Sequence, residues 1–142
     1  EPKPPQGGDL ALWIGGNSDV AYRRVGKYGD GWLASRVTDA AFAARAMAMI
    51  RESASAAGRD PDAIGWQSML ASPPREGDAG GKAFYAEPDR VAARAAELAG
   101  MGFECVALNA TAIFQSGSRG VDTILDVLQS LHDRLRAELG SG

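Results

Sequence analysis

Residues 10–34 read LALWIGGNSDVAYRRVGKYGDGWLA, and this stretch decides the fold class. The apolar run Leu10–Ile14 predicts a buried strand that ends at a pair of glycines. Residues 18–28 follow with apolar side chains at helical spacing, and Gly29 ends the predicted helix. Gly31–Ala34 is then a second short strand. A strand, a helix and a strand in direct succession are typical of a βαβ unit with parallel strands.

The same alternation continues along the chain. A long helix is predicted to begin with Thr38 as its N-cap and to end near Gly58. Ile64–Leu70 and Glu104–Leu108 are the third and fourth predicted strands. Pro88 suits the first position of a third helix.

Two segments interrupt the alternation and are predicted to be loops, residues 72–86 and residues 109–119. The last helix follows the second loop and carries the cleanest amphipathic stripe in the chain. Its apolar members are Val121, Ile124, Leu125, Leu128, Leu131 and Leu135.

Four strands and four helices in alternation fit two architectures. One is a small, open, doubly wound sheet. The other is an α/β fold consisting of the (βα)4 half of a TIM (β/α)8 barrel with parallel strands, whose full form needs about 250 residues. The strands are nearly continuous apolar runs, which indicates strands covered on both faces. An isolated half-barrel would leave two open edge strands and an uncovered inner face, so we expect it to pair with something.

Composition excludes several function classes. The chain has 142 residues, 15 basic and 18 acidic side chains and a formal net charge of -3. We therefore expect no nucleic-acid partner, because no dense basic patch is present. Cys105 is the one cysteine and His132 the one histidine, which argues against a disulfide framework, a metal site and a histidine-based triad.

The domain organisation is simple. Residues 1–9 are rich in proline and glycine and are predicted to be a linker, residues 10–139 the half-barrel, and residues 140–142 a tail. No apolar run approaches the roughly 20 residues that cross a bilayer. No secretory signal opens the chain, so we expect no membrane association and a cytoplasmic location.

The segment most informative about chemistry is Gly15-Gly16-Asn17-Ser18, between the first strand and the first helix. Glycines let backbone approach a ligand closely, and the first amides of a helix lack internal partners. A phosphate fits such a turn, with Asn17 or Ser18 adding a side-chain hydrogen bond. The alternative is a plain strand-to-helix turn in which Asn17 or Ser18 caps the helix.

Other candidates follow from their places near strand ends. Arg36, Arg75, Lys82 and Arg119 lie in loops after strands and could meet an anionic cofactor, and Arg36 and Arg119 stand nearest to the strand ends. The alternative for each is ordinary solvated charge.

The remaining distinctive side chains are predicted to be structural. We expect Cys105 to be a buried, inert thiol, His132 to be a surface residue, and the three tryptophans to fill the core or the barrel. No residue is assigned a catalytic role.

Leu12-Trp13-Ile14-Gly15-Gly16-Asn17-Ser18, Arg23-Arg24 and Tyr28-Gly29-Asp30-Gly31-Trp32 resemble the luciferase-like monooxygenase superfamily. Three further pieces occur in the expected order: Ala57-Gly58-Arg59-Asp60-Pro61, Glu87-Pro88-Asp89-Arg90-Val91 and Leu98-Ala99-Gly100-Met101-Gly102-Phe103. The branch that looks most similar is the actinobacterial oxidoreductases that use the deazaflavin coenzyme F-420.

The resemblance implies a (β/α)8 barrel that binds F-420 or FMN, of which this chain is the C-terminal half. It implies that the Gly15-Gly16 turn, with Asn17 and Ser18, binds the cofactor phosphate. The parent enzyme would transfer a hydride between the cofactor and a small organic substrate. The alternative is a non-catalytic module that binds a phosphate-bearing ligand or assembles with a partner. Either way we expect self-association or pairing with an N-terminal half-barrel.

Overall fold

A computed structural model of the chain describes residues 10–71, 84–115, 117 and 119–139. The predicted linker and tail lie outside these residues. The strands are β1 (Trp13–Gly15), β2 (Gly31–Ala34), β3 (Gly65–Met69) and β4 (Cys105–Ala107). The helices are α1 (Asp19–Tyr28), α2 (Ala40–Ala56), α3 (Pro88–Gly100), α4 (Ala110–Gln115) and α5 (Val121–Leu139), with 3-10 turns at Pro61–Ala63 and Phe84–Ala86.

The order of the strands separates the two predicted architectures. Each neighbouring pair is parallel, and the sheet order β1-β2-β3-β4 follows the chain. Right-handed crossovers between parallel strands in sequential order place all connecting helices on one face of the sheet. A doubly wound sheet instead reverses its strand order. The fold is therefore half of a TIM barrel, as predicted, and the open doubly wound sheet is wrong.

The helix-covered face of the sheet holds the core. Trp32 and Trp66 are in register on neighbouring strands and both are buried. The Trp32 ring meets the Tyr22 ring of α1 edge to face, with centroids 5.4 Å apart. Beneath these rings α2 contributes the buried residues Ala43, Ala46, Met47, Ile50 and Ala54. Side chains on this face thus tie the strands to the helices.

The opposite face of the sheet is open. Gly15, Leu33, Gln67 and Cys105 are in register across the four strands and share this face. The helices lie on the other side of the sheet, so the described residues leave the inner face uncovered, as expected of a half-barrel taken alone. The prediction of a buried Cys105 is wrong for the same reason, since Cys105 is exposed.

Trp13 belongs to this open face rather than to the core. Its ring lies across Gly31 and Gly65, the two residues in register with it on β2 and β3. A Cβ at Gly31 would come within 2.3 Å of the Trp13 ring. The glycines therefore make room for the indole, which remains 37% exposed.

Two local predictions, the N-cap of α2 and the loop 109–119, are wrong because of hydrogen bonds that polar side chains accept. The N-cap of α2 is Asp39 rather than Thr38, since the Asp39 carboxylate accepts a 2.8 Å hydrogen bond from the Phe42 amide. Thr38 instead donates its hydroxyl to Asp39. The predicted loop 109–119 contains α4, because the Asn109 side chain accepts from the Thr111 amide and starts a helix there.

Helix α5 buries only part of its apolar stripe. Leu131 and Leu135 are buried, whereas Val121 and Leu125 are 73% and 56% exposed. The helix lies at the last unit of the sheet, so one side of it has no neighbour among the described residues. None of the helices in the described part of the chain is long and apolar enough to span a membrane.

Candidate functional site

The turn between β1 and α1 has the conformation that its glycines allow. Gly16 has a φ of 122°, a region that side-chain-bearing residues rarely adopt. A Cβ at Gly16 would also lie 2.8 Å from the Cβ of Ala21. The Gly16 carbonyl accepts a 2.8 Å hydrogen bond from the Trp32 indole N–H. The backbone angle of Gly16 and the hydrogen bond from Trp32 thus fix the conformation of the turn at the carboxyl end of β1.

Asn17 joins this turn to the loop after β2. Its side-chain amide donates a 2.7 Å hydrogen bond to the backbone carbonyl of Arg36. Arg36 is exposed, and it follows β2 as Asn17 follows β1. The structure therefore brings Gly15, Gly16, Asn17, Ser18 and Arg36 together at the carboxyl edge of the sheet.

The side chains of this group already have structural partners. The Ser18 hydroxyl accepts from the Ala21 amide at 3.3 Å and is the N-cap of α1, and the Asn17 amide is engaged with Arg36. The capping role that the sequence offered as an alternative is thus present. The donors left to a ligand are the first backbone amides of α1 other than that of Ala21, since the helical hydrogen bonds begin at the Tyr22 amide.

Asp19 adds a negative charge to the first turn of α1. Its carboxylate pairs with Arg45 of α2 at 2.9 Å, and both side chains are about half exposed. The partner offsets the charge that would oppose an anion at the turn.

Arg119 lies away from this group. It is exposed and follows α4, so it belongs to the unit of β4 at the opposite end of the sheet from β1. Three strand spacings separate β1 from β4, which is roughly 14 Å at the usual distance between strands. Within one chain the structure does not bring Arg119 to the glycine turn. Arg75 and Lys82 lie outside the described residues.

Arg94 is a member of the neighbourhood that sequence reasoning missed. It is 5% exposed and donates from Nη2 to the Val37 carbonyl at 2.6 Å, while Nη1 pairs with Glu97 at 2.7 Å. Arg94 and Asn17 together hold the loop that carries Arg36 from two sides. The sequence feature that could have revealed Arg94 is a charged side chain on the same helix face as Val91, Ala95 and Leu98, the buried side of α3.

Tyr85 holds the loops at the other end of the same edge. Its hydroxyl donates to the carbonyl of Leu70, after β3, and accepts from the Asn109 amide, after β4, at 2.8 Å. Burial raises the pKa of Tyr85, and the Asn109 hydrogen bond partly offsets this. Tyr85 and its neighbour Phe84 are buried, so they anchor a loop rather than cover a ligand.

The described ranges contain no cluster of potential metal ligands. Among residues 10–71, 84–115, 117 and 119–139, no group of three or more acidic, histidine or cysteine side chains is placed to hold an ion. His132 is exposed on α5 beside Asp133, as predicted for a surface residue.

A family model described as luciferase-like monooxygenase matches residues 1–74. The chain belongs to the luciferase-like monooxygenase family. A search of curated protein sequences finds no significant match.

The luciferase-like fold is also present in a solved structure. The chain is similar to the coenzyme F-420 dependent tetrahydromethanopterin reductase from Methanopyrus kandleri, with a TM-score of 0.61 and 15% sequence identity. The match covers 94% of this chain and 52% of the reductase chain. The two proteins share a fold, and this chain spans about half the length of the reductase.

The amino edge of this luciferase-like half-barrel is built for stability. Arg59 donates to the carbonyls of Gly26 and Gly29 at 2.8 and 2.6 Å and pairs with Asp30 at 3.1 Å. Asp30 in turn accepts from the Leu12 amide at 2.7 Å. Asp30 lies in the turn before β2, and its partnership with Arg59, 29 residues later, could not be predicted from the sequence.

Proposed function

We propose that the chain is the C-terminal half of an F-420-dependent luciferase-like oxidoreductase, whose parent moves a hydride to or from a small organic substrate. The glycine turn at the carboxyl end of β1, in a chain of this family, carries the proposal. The similarity to a reductase named for its dependence on F-420 favours the deazaflavin over FMN. When bound, the deazaflavin ring supplies the hydride chemistry.

The proposed role of this chain is to hold the phosphate end of the cofactor. Gly16 adopts a φ of 122° and carries no side chain, so the backbone of the turn is not shielded by a side chain of its own. The first amides of α1 follow this turn and carry the positive end of the helix dipole, which favours an anion. Asn17 holds the loop that carries Arg36 beside the turn. The Arg36 guanidinium is then available for charge-assisted hydrogen bonds to the phosphate.

A second function is favoured by one observation. The chain spans about half of the solved reductase that it matches, and none of the residues that the structure describes is assigned a catalytic role. A non-catalytic module that binds a phosphate-bearing ligand, or assembles with a partner, needs only the turn and the open sheet edges. Activity would separate the two functions, since the module would bind ligand without transferring a hydride.

A fluorescence titration of the purified chain tests cofactor binding. F-420, FMN and riboflavin should be run in parallel, because riboflavin is FMN without the phosphate. Saturable binding of F-420 with a higher affinity than FMN would support the deazaflavin as cofactor. An affinity for FMN roughly tenfold or more above that for riboflavin, which corresponds to about 1.4 kcal/mol, would support the phosphate role. Equal binding of FMN and riboflavin would contradict it. Binding of none of the three would favour the assembly module.

Variants locate the phosphate. Gly16→Ala places a Cβ against that of Ala21 in the turn and should weaken FMN binding, whereas Gly58→Ala controls for the positive φ alone, since its φ is 72° and nothing lies within 4 Å of a Cβ there. Arg36→Gln should weaken binding in a salt-dependent way, whereas Arg24→Gln makes the same charge change on an exposed part of α1. Circular dichroism of each variant verifies the fold. Equal affinities in a site variant and its control would contradict the assignment.

A further inference from the structure

A buried arginine lies on the apolar side of α3. Arg94 is 5% exposed and shares this side of the helix with Val91, Ala95 and Leu98, which are also buried. Taking a guanidinium out of water is costly, and an apolar side chain of similar size would fill the same space at a lower cost. Packing alone therefore does not account for an arginine at this position.

The ion pair of Arg94 does not account for it either. Nη1 meets the Glu97 carboxylate at 2.7 Å, but the Glu97 side chain is 56% exposed, so water weakens the attraction. Nε is buried and has no hydrogen-bond partner among the residues that the structure describes. A buried guanidinium with one unpaired N–H group and one half-solvated partner contributes little to stability through its charge. The remaining contact is the bond from Nη2, which reaches a different element of the fold.

The bond from Nη2 restrains the loop between β2 and α2. It runs to the carbonyl of Val37 at 2.6 Å, and the Asn17 side chain donates to the preceding carbonyl, that of Arg36, at 2.7 Å. Two consecutive peptide groups are thus held, one from α3 and one from the glycine turn. Val37 is buried, whereas Arg36 is exposed. The backbone that follows Arg36 is therefore restrained, while its guanidinium is left to meet a ligand.

We propose that Arg94 is a positioning residue of the phosphate site, because it holds the Val37 carbonyl and so orders the loop from which the Arg36 guanidinium meets the phosphate. This inference rests on the proposed phosphate site. A loop and an arginine side chain lose conformational entropy when they bind an anion, and a loop that is already ordered loses less. Arg94 therefore raises the affinity for a phosphate that it does not touch.

The affinity of the chain for FMN relative to riboflavin measures this effect, because the two flavins differ by the phosphate. Arg94→Met retains an unbranched apolar side chain and removes the donors. It should reduce the ratio of FMN to riboflavin affinity by about fivefold or more, a usual scale of coupling within one hydrogen-bond network, and leave the riboflavin affinity unchanged. An unchanged ratio in Arg94→Met would overturn the proposal.

Glu97→Gln is the matched control, since it removes the ion pair of Arg94 and leaves the bond to Val37 in place. It should keep the wild-type ratio. A loss as large as that in Arg94→Met would assign the effect to the ion pair and overturn the role of the Val37 bond.

A double-mutant cycle shows whether Arg94 acts through Arg36. Arg36→Gln should lower the ratio by itself, and Arg94→Met added to it should lower the ratio no further. Additive losses would overturn the positioning role alone. A wild-type chain that binds FMN and riboflavin equally would instead refute the phosphate site and, with it, the role of Arg94, so the two failures are distinguishable.

Arg94→Leu is a second variant without donors, with a different apolar shape, and it should lower the ratio as Arg94→Met does. Circular dichroism and urea unfolding verify that each variant is folded, so a change in the ratio is measured on intact protein. A folded Arg94→Leu variant with the wild-type ratio would overturn the proposal even if Arg94→Met does not fold.

Discussion

The first two βα units and the last one are assembled very differently. Helices α1 and α2 approach so closely that a Cβ on Gly26 would lie 2.3 Å from the Ile50 carbonyl oxygen. Helix α5 buries Leu131 and Leu135 but leaves Val121 and Leu125 largely exposed. The same pattern of strand and helix thus yields a close helix–helix contact between the first two units and an exposed apolar stripe on the helix of the last unit. Burial in a barrel depends on the next unit around the ring, and α5 has no such neighbour among the described residues.

The largest expected effect tests the close contact. Gly26→Val places side-chain atoms against backbone of α2, which cannot withdraw without separating the helices, and should destabilise the fold by about 3 kcal/mol or more. Gly100→Ala is the control, because nothing lies within 4 Å of a Cβ there. Urea unfolding measures both. A Gly26→Val variant as stable as the wild type would show that the α1–α2 contact can relax.

The second prediction concerns α5, the helix of the last unit, whose apolar stripe is only partly buried. Leu131→Ala should cost about 2–3 kcal/mol, in the lower part of the range for buried leucines, because the surroundings on the open side can adjust. Ile50→Val, which removes one methylene from the buried side of α2, should lower the free energy of unfolding by about 1 kcal/mol. Urea midpoints of the two variants compare the regions. A cost for Leu131→Ala below that of Ile50→Val would mean that α5 contributes little to the folded state.

The amino-edge cluster gives a smaller effect. Arg59→Ala leaves the carbonyls of Gly26 and Gly29 and the Asp30 carboxylate without their donor, and should cost about 1.5–3 kcal/mol. Arg59→Lys retains the charge but not the planar set of donors and should recover less than half of that loss. Thermal unfolding ranks the three proteins. Full recovery by lysine would show that charge, rather than hydrogen-bond geometry, stabilises this edge.

The smallest effect concerns pH. Hydrogen bonds from the Phe42 amide and the Thr38 hydroxyl lower the pKa of Asp39 below its ordinary value. Its contribution to stability is present above the unfolded-state pKa and is lost as pH falls through the folded-state value. Asp39→Asn keeps an N-cap acceptor without a titrating carboxylate, so it should flatten the stability profile in the acid range. Urea midpoints between pH 2 and pH 6 measure it, and superimposable profiles of both proteins would contradict the assignment.

Much of the fold followed from local pattern. Gly31–Ala34 was predicted with its observed bounds, and Pro88 with its place at the start of a helix, because turn residues and apolar runs mark those ends directly. The N-cap of α2 was misplaced by one residue because Thr38 and Asp39 are both good caps, and the choice between them depends on backbone angles. Helix α4 was missed because a helix of its length has too few residues for a period to be visible.

Only part of the candidate site could be predicted from the sequence. The Gly15-Gly16 turn carries its own signal, because the φ of 122° at Gly16 requires a glycine. The tie from Asn17 to Arg36 and the support from Arg94 join residues far apart in the chain, and no periodicity encodes such contacts. Whether the group binds a phosphate remains a prediction for titration.

The sequence by itself determined the units: where strands and helices alternate, which turn needs glycine, and which family the pattern resembles. These properties depend on neighbouring residues and on backbone sterics, so they can be recognised in a linear chain. Only the tertiary structure decided that the strands lie in sequential order, that one face of the sheet is open and that Cys105 is exposed on it. Those outcomes depend on which units lie beside each other in space, and at both edges of this sheet the neighbour is not part of the described chain.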